Sequence, residues 1–145
     1  MDPETLSKQT VVYSIAGYKN SGKTTVMEQV ITKLSERGFK VASIKHDGHD
    51  FEIDREGTDS FRHRRAGAYA NAIYSAGKFC IVKTEEVTAE KLCSFFPEAD
   101  VILIEGLKNS SYPQYFCNYP TEIPDSDAIV KEIVQLLQKN HIERD

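Results

Sequence analysis

Near its N-terminus the sequence reads Gly17-Tyr18-Lys19-Asn20-Ser21-Gly22-Lys23-Thr24, a complete G-x-x-x-x-G-K-[ST] pattern. Its two glycines let the backbone turn so that N–H groups face phosphate oxygens. In this pattern the lysine reaches the β- and γ-phosphates and the final hydroxyl ligates Mg²⁺. The helix that begins here adds the positive end of its dipole. The pattern therefore predicts a triphosphate site, and its candidate residues are Gly17, Lys19, Asn20, Ser21, Gly22, Lys23, Thr24 and Thr25. Lys19 is either solvated or reaches the phosphates of its own or a neighbouring subunit's nucleotide.

The elements on either side of this loop are those that the pattern requires. Residues 10–16 are rich in β-branched side chains and predict a buried strand. Apolar residues then recur at helical spacing as far as Arg37-Gly38, where we expect the helix to end. A second strand is predicted at residues 41–45. Because a strand-helix-strand unit forms a parallel sheet, the fold class is α/β.

The rest of the chain predicts shorter elements. A helix is expected at 59–68, a β-hairpin from residues 70–75 and 79–83, a helix at 89–96, a central strand at 101–104, and a final amphipathic helix marked by Ile129, Ile133, Leu136 and Leu137. We expect a mostly parallel sheet with a β-hairpin and flanking helices.

Length and composition limit the classes of protein. The 145 residues suit one domain spanning residues 1–145, with residues 1–9 disordered. A net charge of −4 disfavours a nucleic-acid-binding domain. The sequence has no apolar run long enough for a membrane span, and its polar start lacks a signal-peptide core, so we expect a cytoplasmic protein. Three widely spaced cysteines disfavour a disulfide framework or a zinc ribbon.

Several carboxylates are candidates for binding Mg²⁺ or activating water. Glu105 ends the apolar strand at 101–104, as expected of the acid that holds Mg²⁺ beside a phosphate loop. Its length favours a role through water over direct ligation. Asp47 and Asp54 lie in the charged loop after the second strand and could orient Mg²⁺ or the attacking water. The predicted metal ligands are thus Thr24, Asp54 and Glu105, and the predicted catalytic residues are Asp47, Asp54 and Glu105.

Four stretches together resemble one family: GYKNSGKTT, KHDGHDFEID, GTDSFRHRRAGA and VILIEGLK. In this order and spacing they are similar to the molybdopterin-guanine dinucleotide biosynthesis protein B (MobB) family, from about Val11 to Lys108. The resemblance implies a three-layer P-loop NTPase-like fold, a homodimer, and GTP binding with Mg²⁺ and weak hydrolysis. It also implies an accessory role in attaching a guanosine nucleotide to molybdopterin. The partner would be a molybdopterin guanylyltransferase, and the molybdopterin cofactor is a further candidate ligand.

Carried over to this sequence, the resemblance assigns the nucleotide site to Gly17, Gly22, Lys23, Thr24 and Glu105. The next candidates are Asp47, Asp54, Asp59, Arg62 and His63. Arg62 could meet a phosphate or an acidic partner, or belong to a solvated basic face.

The chain departs from the family pattern in one region. Residues 109–125 are short, aromatic and interrupted by proline, so we expect a strand and part of the base pocket to be missing. The sequence has no N-K-x-D motif, so guanine preference depends on the resemblance. The aromatic side chains here could stack on a base or a pterin, but are favoured to cover a core or a dimer surface: Tyr112, Tyr115, Phe116 and Tyr119.

Other functions fit parts of the same sequence. In an ATP-dependent small-molecule kinase, Arg62, Arg64 and Arg65 would close over the transferred phosphate and Asp47 would be the base. In a metallochaperone-type GTPase, His46 and His49 would bind metal, although no third ligand is evident. A structural partner that binds nucleotide without turnover is the last alternative.

Overall fold

The computed structural model describes residues 10–47, 59–107 and 110–144, except for the side chains of residues 60, 61 and 141–144. The chain divides into two compact units, the first comprising Met1–His46 and Thr88–Asp145 and the second Asp47–Val87. The prediction that residues 1–9 are disordered concerns residues outside the described ranges.

The elements in chain order are β1 (Val11–Gly17), α1 (Lys23–Glu36), β2 (Val41–Lys45), α2 (Asp59–Arg65), β3 (Ala70–Tyr74), β4 (Phe79–Lys83), α3 (Ala89–Cys93), β5 (Val101–Glu105), β6 (Gln114–Cys117) and α4 (Ser126–Arg144).

The first unit contains a four-stranded sheet in the order β2-β5-β1-β6, and every pairing is parallel. The predicted α/β class and mostly parallel sheet are therefore confirmed. β5 lies between β1 and β2, so the first strand-helix-strand unit crosses over a strand that comes later in the chain. This order places the ends of β1 and β5 side by side, and those are the two strands that carry the predicted site.

Alternate residues of the central strands enter two separate cores. Tyr13 and Ile15 of β1 pack with Leu103 of β5 against helices α1 and α4. Ile102 and Ile104 of β5 face the opposite side, where α3 supplies Cys93. Because successive strand side chains point to opposite faces, this alternation produces three layers, with helices on both faces of the sheet.

Polar contacts fasten α4 to the sheet and to α1. The Tyr13 hydroxyl donates to Glu132 Oε2 at 2.7 Å, and burial together with this bond raises the pKa of Tyr13. Lys33 Nζ lies 2.7 Å from Asp127 Oδ1 and 2.6 Å from Ser126 Oγ. The start of α4 is thereby tied to α1, the helix that follows the glycine-rich loop.

The segment after residue 108 contains a strand, in the region where the sequence analysis expected one to be missing. Residues 114–117 form β6, and Ser14 of β1 pairs with Gln114 in register. The prolines lie outside the strand: Pro113 precedes it and accepts a hydrogen bond through its carbonyl from Ser14 N at 2.9 Å. A proline at the start of an edge strand removes no ladder donor that a neighbour needs. β6 is thus a short edge strand, and the chain after it begins beside the end of β1.

The second unit contains α2 and an antiparallel hairpin of β3 and β4. The hairpin was predicted, and the strand bounds agree to within one residue. Helix α2 ends at Arg65, earlier than expected, and Gly67 follows it with φ 118°. In the described part of the whole chain, no helix is both long and apolar enough to cross a bilayer.

Candidate functional site

The loop between β1 and α1 turns sharply at two positions. Asn20 has φ 61° and Gly22 has φ 87°, both in the left-handed region. Gly22 is the N-cap of α1 and offers no side chain to the first N–H groups of that helix. A helix start of this kind presents backbone donors and a positive dipole end to an anion. The local geometry is therefore suited to phosphate oxygens.

Gly17 sits where the end of β1 is most crowded. An added Cβ would lie 2.5 Å from Ser21 Oγ and 2.8 Å from the carbonyl oxygen of Cys117. The Ser21 side chain is buried, and its hydroxyl has no hydrogen-bond partner among the residues that the structure describes. The loop thus folds back onto its own first residue, and only glycine leaves room for it.

Lys23 closes the loop across its base. Its Nζ donates to the carbonyl oxygen of Gly17 at 2.8 Å. The ammonium group is therefore held against the first residue of the loop. The loop thus brings together the residues that the sequence analysis predicted within it. Their roles in binding phosphate and Mg²⁺ stay predictions.

Glu105 connects the loop to the ends of two strands. Its Oε1 accepts a hydrogen bond from Thr24 Oγ1 at 2.9 Å. Its Oε2 lies 3.4 Å from Lys45 Nζ, at the end of β2. The structure thus brings Thr24 and Glu105 together, as the sequence predicts, and adds Lys45, to which the sequence analysis gave no role.

A cavity of about 520 Å³ opens beside the loop. One wall is the loop and the first turns of α1, and the opposite wall is formed by residues after β6. Its lining residues are Asn20, Ser21, Gly22, Lys23, Thr24, Thr25, Val26, Gln29, Tyr119, Ile123 and Pro124. As site residues, the sequence analysis missed Val26, Gln29, Ile123 and Pro124. Recognition of β6 would have placed the segment after it at the carboxyl ends of the strands, where ligands of α/β proteins bind.

The four aromatic residues of the 109–125 segment have different surroundings. Tyr119 lines the cavity. Phe116 packs edge-to-face on Tyr18 of the loop, with ring centroids 5.5 Å apart. Tyr112 and Tyr115 pack against the two cores. The sequence analysis favoured a role for all four side chains in covering a core or a dimer surface. Packing against a core is observed for two of the four, Tyr112 and Tyr115.

A cysteine lies directly under the loop. Cys117 is buried and free, and an added Cβ at Gly17 would come within 3.0 Å of its Cβ. Burial raises the pKa of the Cys117 thiol, while the Lys23 ammonium acts in the opposite direction. The thiol is therefore a neutral packing group of the loop at ordinary pH.

The remaining candidates stay predictions. Asp54 and His49 lie outside the described residues. Asp47 and Arg62 belong to the second unit and are exposed, as are Lys19 of the loop and His46 of the first unit. Within residues 10–47, 59–107 and 110–144, no three His, Cys, Asp or Glu side chains form a group that could hold a metal ion.

The comparisons with known proteins identify the family. A sequence model of molybdopterin guanine dinucleotide synthesis protein B, MobB, matches residues 12–120. The chain belongs to the MobB family. It is 36% identical over 107 residues to a Bacillus subtilis protein named probable molybdopterin-guanine dinucleotide biosynthesis adapter protein, covering 71% of this chain and 62% of that protein. It is 32% identical over 113 residues to the Haemophilus influenzae adapter protein, covering 75% and 64%. The chain thus spans less than two thirds of the length of either relative.

Solved structures agree with this family assignment. The crystal structure of Bacillus subtilis MobB matches with a TM-score of 0.66 at 34% identity, covering 75% of this chain and 68% of that one. A MobB homologue from Bacillus stearothermophilus matches with a TM-score of 0.60, covering 90% and 98%. At 19% identity, the second likeness concerns the fold alone. The predicted P-loop NTPase-like MobB fold is therefore confirmed.

Proposed function

We propose that this MobB-family chain binds GTP with Mg²⁺ at the 17–24 loop and acts as an adapter in molybdopterin guanine dinucleotide biosynthesis. The names of the curated relatives support the adapter role. Its partner would be the molybdopterin guanylyltransferase that performs the transfer, with the molybdopterin cofactor as a further ligand. Any hydrolysis would be slow, because both oxygens of Glu105 already have partners in Thr24 and Lys45 and are poorly placed to act as a base.

One observation carries the proposal: the phosphate-suited loop forms one wall of a cavity large enough for a nucleotide. Ligand pockets commonly span about 300–1,000 Å³, and this one measures about 520 Å³. Lys23 supplies a cation at the loop, and the start of α1 supplies backbone donors. Anionic and apolar parts of one ligand could therefore be accommodated together.

The residues present suit Mg²⁺. The Thr24 hydroxyl and the Glu105 carboxylate are 2.9 Å apart and offer hard oxygen donors. Mg²⁺ usually takes one or two protein oxygens, substrate phosphates and water. When bound with a nucleotide, the ion would neutralise charge on the phosphates, and Thr24 and Glu105 would hold it.

The wall formed after β6 is suited to a nucleoside. Tyr119 offers a half-exposed ring, and Ile123 and Pro124 offer apolar surface. Pro124 approaches the loop closely, because an added Cβ at Gly22 would lie 3.4 Å from its Cγ. A planar base beside the start of α1 would therefore meet an aromatic and apolar surface.

Calorimetric titration with non-hydrolysable GTP and ATP analogues, with and without Mg²⁺, tests the proposal. We expect the GTP analogue to bind more tightly and its affinity to rise with Mg²⁺. Tyr119→Ala should weaken binding about tenfold through lost stacking, and Phe95→Ala, an exposed ring on the other side of the sheet, should leave it unchanged. Preference for ATP would instead favour the kinase alternative.

The hairpin of the second unit supports the further proposal of a homodimer. Tyr74 pairs with Phe79 and Ala72 with Ile81, so these side chains share one face of the hairpin. Tyr74, Phe79 and Ile81 are exposed there. Exposed apolar faces commonly mark interaction surfaces. Sedimentation velocity should give the mass of two chains, and Tyr74→Lys should shift it toward one.

A further inference from the structure

Lys45 and Glu105 are the last residues of neighbouring parallel strands. β2 and β5 pair in register from Val41↔Val101 to Lys45↔Glu105, so the two side chains emerge side by side at the carboxyl edge of the sheet. The ammonium Nζ lies 3.4 Å from Glu105 Oε2. The other carboxylate oxygen accepts the Thr24 hydroxyl. Thr24, Glu105 and Lys45 thus form one continuous chain of polar contacts.

The lysine that contacts this carboxylate is not the lysine of the loop. Lys23 donates to the carbonyl of Gly17, whereas Lys45 comes from a different strand. The Glu105 side chain is 8% exposed and the Lys45 side chain 67% exposed. A buried carboxylate needs a countercharge, and an exposed lysine can leave it at little cost because its ammonium is then solvated.

We propose that Lys45 competes with the divalent cation for Glu105 and so makes metal loading depend on nucleotide phosphates. This inference rests on the Mg²⁺ site of the proposed function. An ion held between Thr24 and Glu105 would be within a few ångströms of the Lys45 ammonium, and the two cations repel each other. The metal alone must displace Lys45, whereas a metal that arrives with phosphate oxygens brings the negative charge that offsets this repulsion. Lys45 is thus a positioning residue for Glu105 that selects for the metal-nucleotide complex.

The proposal is tested by measuring Mn²⁺ affinity by electron paramagnetic resonance, both in the free protein and with a non-hydrolysable GTP analogue or inorganic pyrophosphate bound. Lys45→Met removes the charge and keeps the length of the side chain, and we expect it to tighten Mn²⁺ binding to the free protein about three- to fivefold. The gain should be smaller when phosphates are bound, because their charge already offsets that of Lys45. Lys45→Arg keeps the charge and should retain wild-type affinity. Lys83→Met is the matched control, since Lys83 also ends a strand and pairs with a glutamate, Glu85, at 3.0 Å. Lys83→Met should leave Mn²⁺ affinity unchanged, and this result would exclude a general effect of net charge.

A double-variant cycle localises the effect to Glu105. In a Glu105→Gln background, Lys45→Met should leave Mn²⁺ affinity unchanged, because the shared carboxylate is gone. Equal or weaker Mn²⁺ binding by the free Lys45→Met protein would overturn the proposal. An equally large effect of Lys45→Met with phosphates bound, or in the Glu105→Gln background, would overturn it as well. Tight binding of the GTP analogue with no effect of Lys45→Met would overturn this inference and leave the proposed function standing. If Lys45→Met tightened Mn²⁺ binding more in the free protein than with pyrophosphate, but the GTP analogue did not bind, this inference would stand and the proposed function would be overturned.

Discussion

Lys23→Ala is expected to weaken binding of the GTP analogue by a hundredfold or more. The variant removes the ammonium that contacts the first residue of the loop. Hydrogen bonds between charged partners contribute about 3 kcal/mol, which corresponds to roughly a hundredfold in affinity. In the free protein Lys23 donates only to the carbonyl of Gly17 among the contacts described for it. The fold should therefore survive the substitution. Calorimetric titration gives the affinity, and thermal unfolding monitored by circular dichroism checks the fold.

Lys19→Ala is the matched control for this experiment. Lys19 belongs to the same loop and carries the same charge, but its side chain is exposed and does not line the cavity. A loss of affinity confined to Lys23→Ala would indicate a specific contact with phosphate. Equal losses in both variants would point to the net charge of the loop, and wild-type affinity in Lys23→Ala would remove the phosphate site from the loop.

Local sequence patterns were sufficient for the elements that build the sheet and its first helix. The apolar runs of β1 and β5 are nearly continuous, as in strands buried on both faces, and α1 has a clear apolar spacing. The glycine-rich pattern also specified the loop, because its turns need positive φ at a defined position, Gly22. Structure encoded within about fifteen successive residues was thus predictable.

Features that depend on distant partners were not predictable in the same way. β6 has only four residues, and what makes it a strand is pairing with β1, formed by residues far earlier in the chain. The same holds for the cavity wall at Tyr119 and for the contact between Lys45 and Glu105. That contact requires the register of β2 against β5, which spacing within either strand does not contain. The sequence therefore predicted the glycine-rich loop of the candidate site. It did not predict the cavity wall after β6 or the contact between Lys45 and Glu105.

Gly17→Ala is expected to lower the free energy of unfolding by about 3 kcal/mol or more, through overpacking and strained backbone. The new Cβ would lie 2.8 Å from the carbonyl oxygen of Cys117, a backbone atom that β6 holds in place. Gly17 also has φ 152°, which side chains rarely adopt. Urea denaturation followed by circular dichroism measures the change.

Two other glycines separate crowding from backbone strain. Gly38 has φ 90° and open space around its Cβ position, so Gly38→Ala should cost only about 1 kcal/mol. Gly77 has open space as well and no positive φ, so Gly77→Ala should be neutral to within about 0.5 kcal/mol. If Gly17→Ala cost no more than Gly38→Ala, the contact between the loop and β6 would be loose enough to yield. In that case the wall formed after β6 would not be held against the loop, and the cavity would lose the rigidity that a nucleotide site requires.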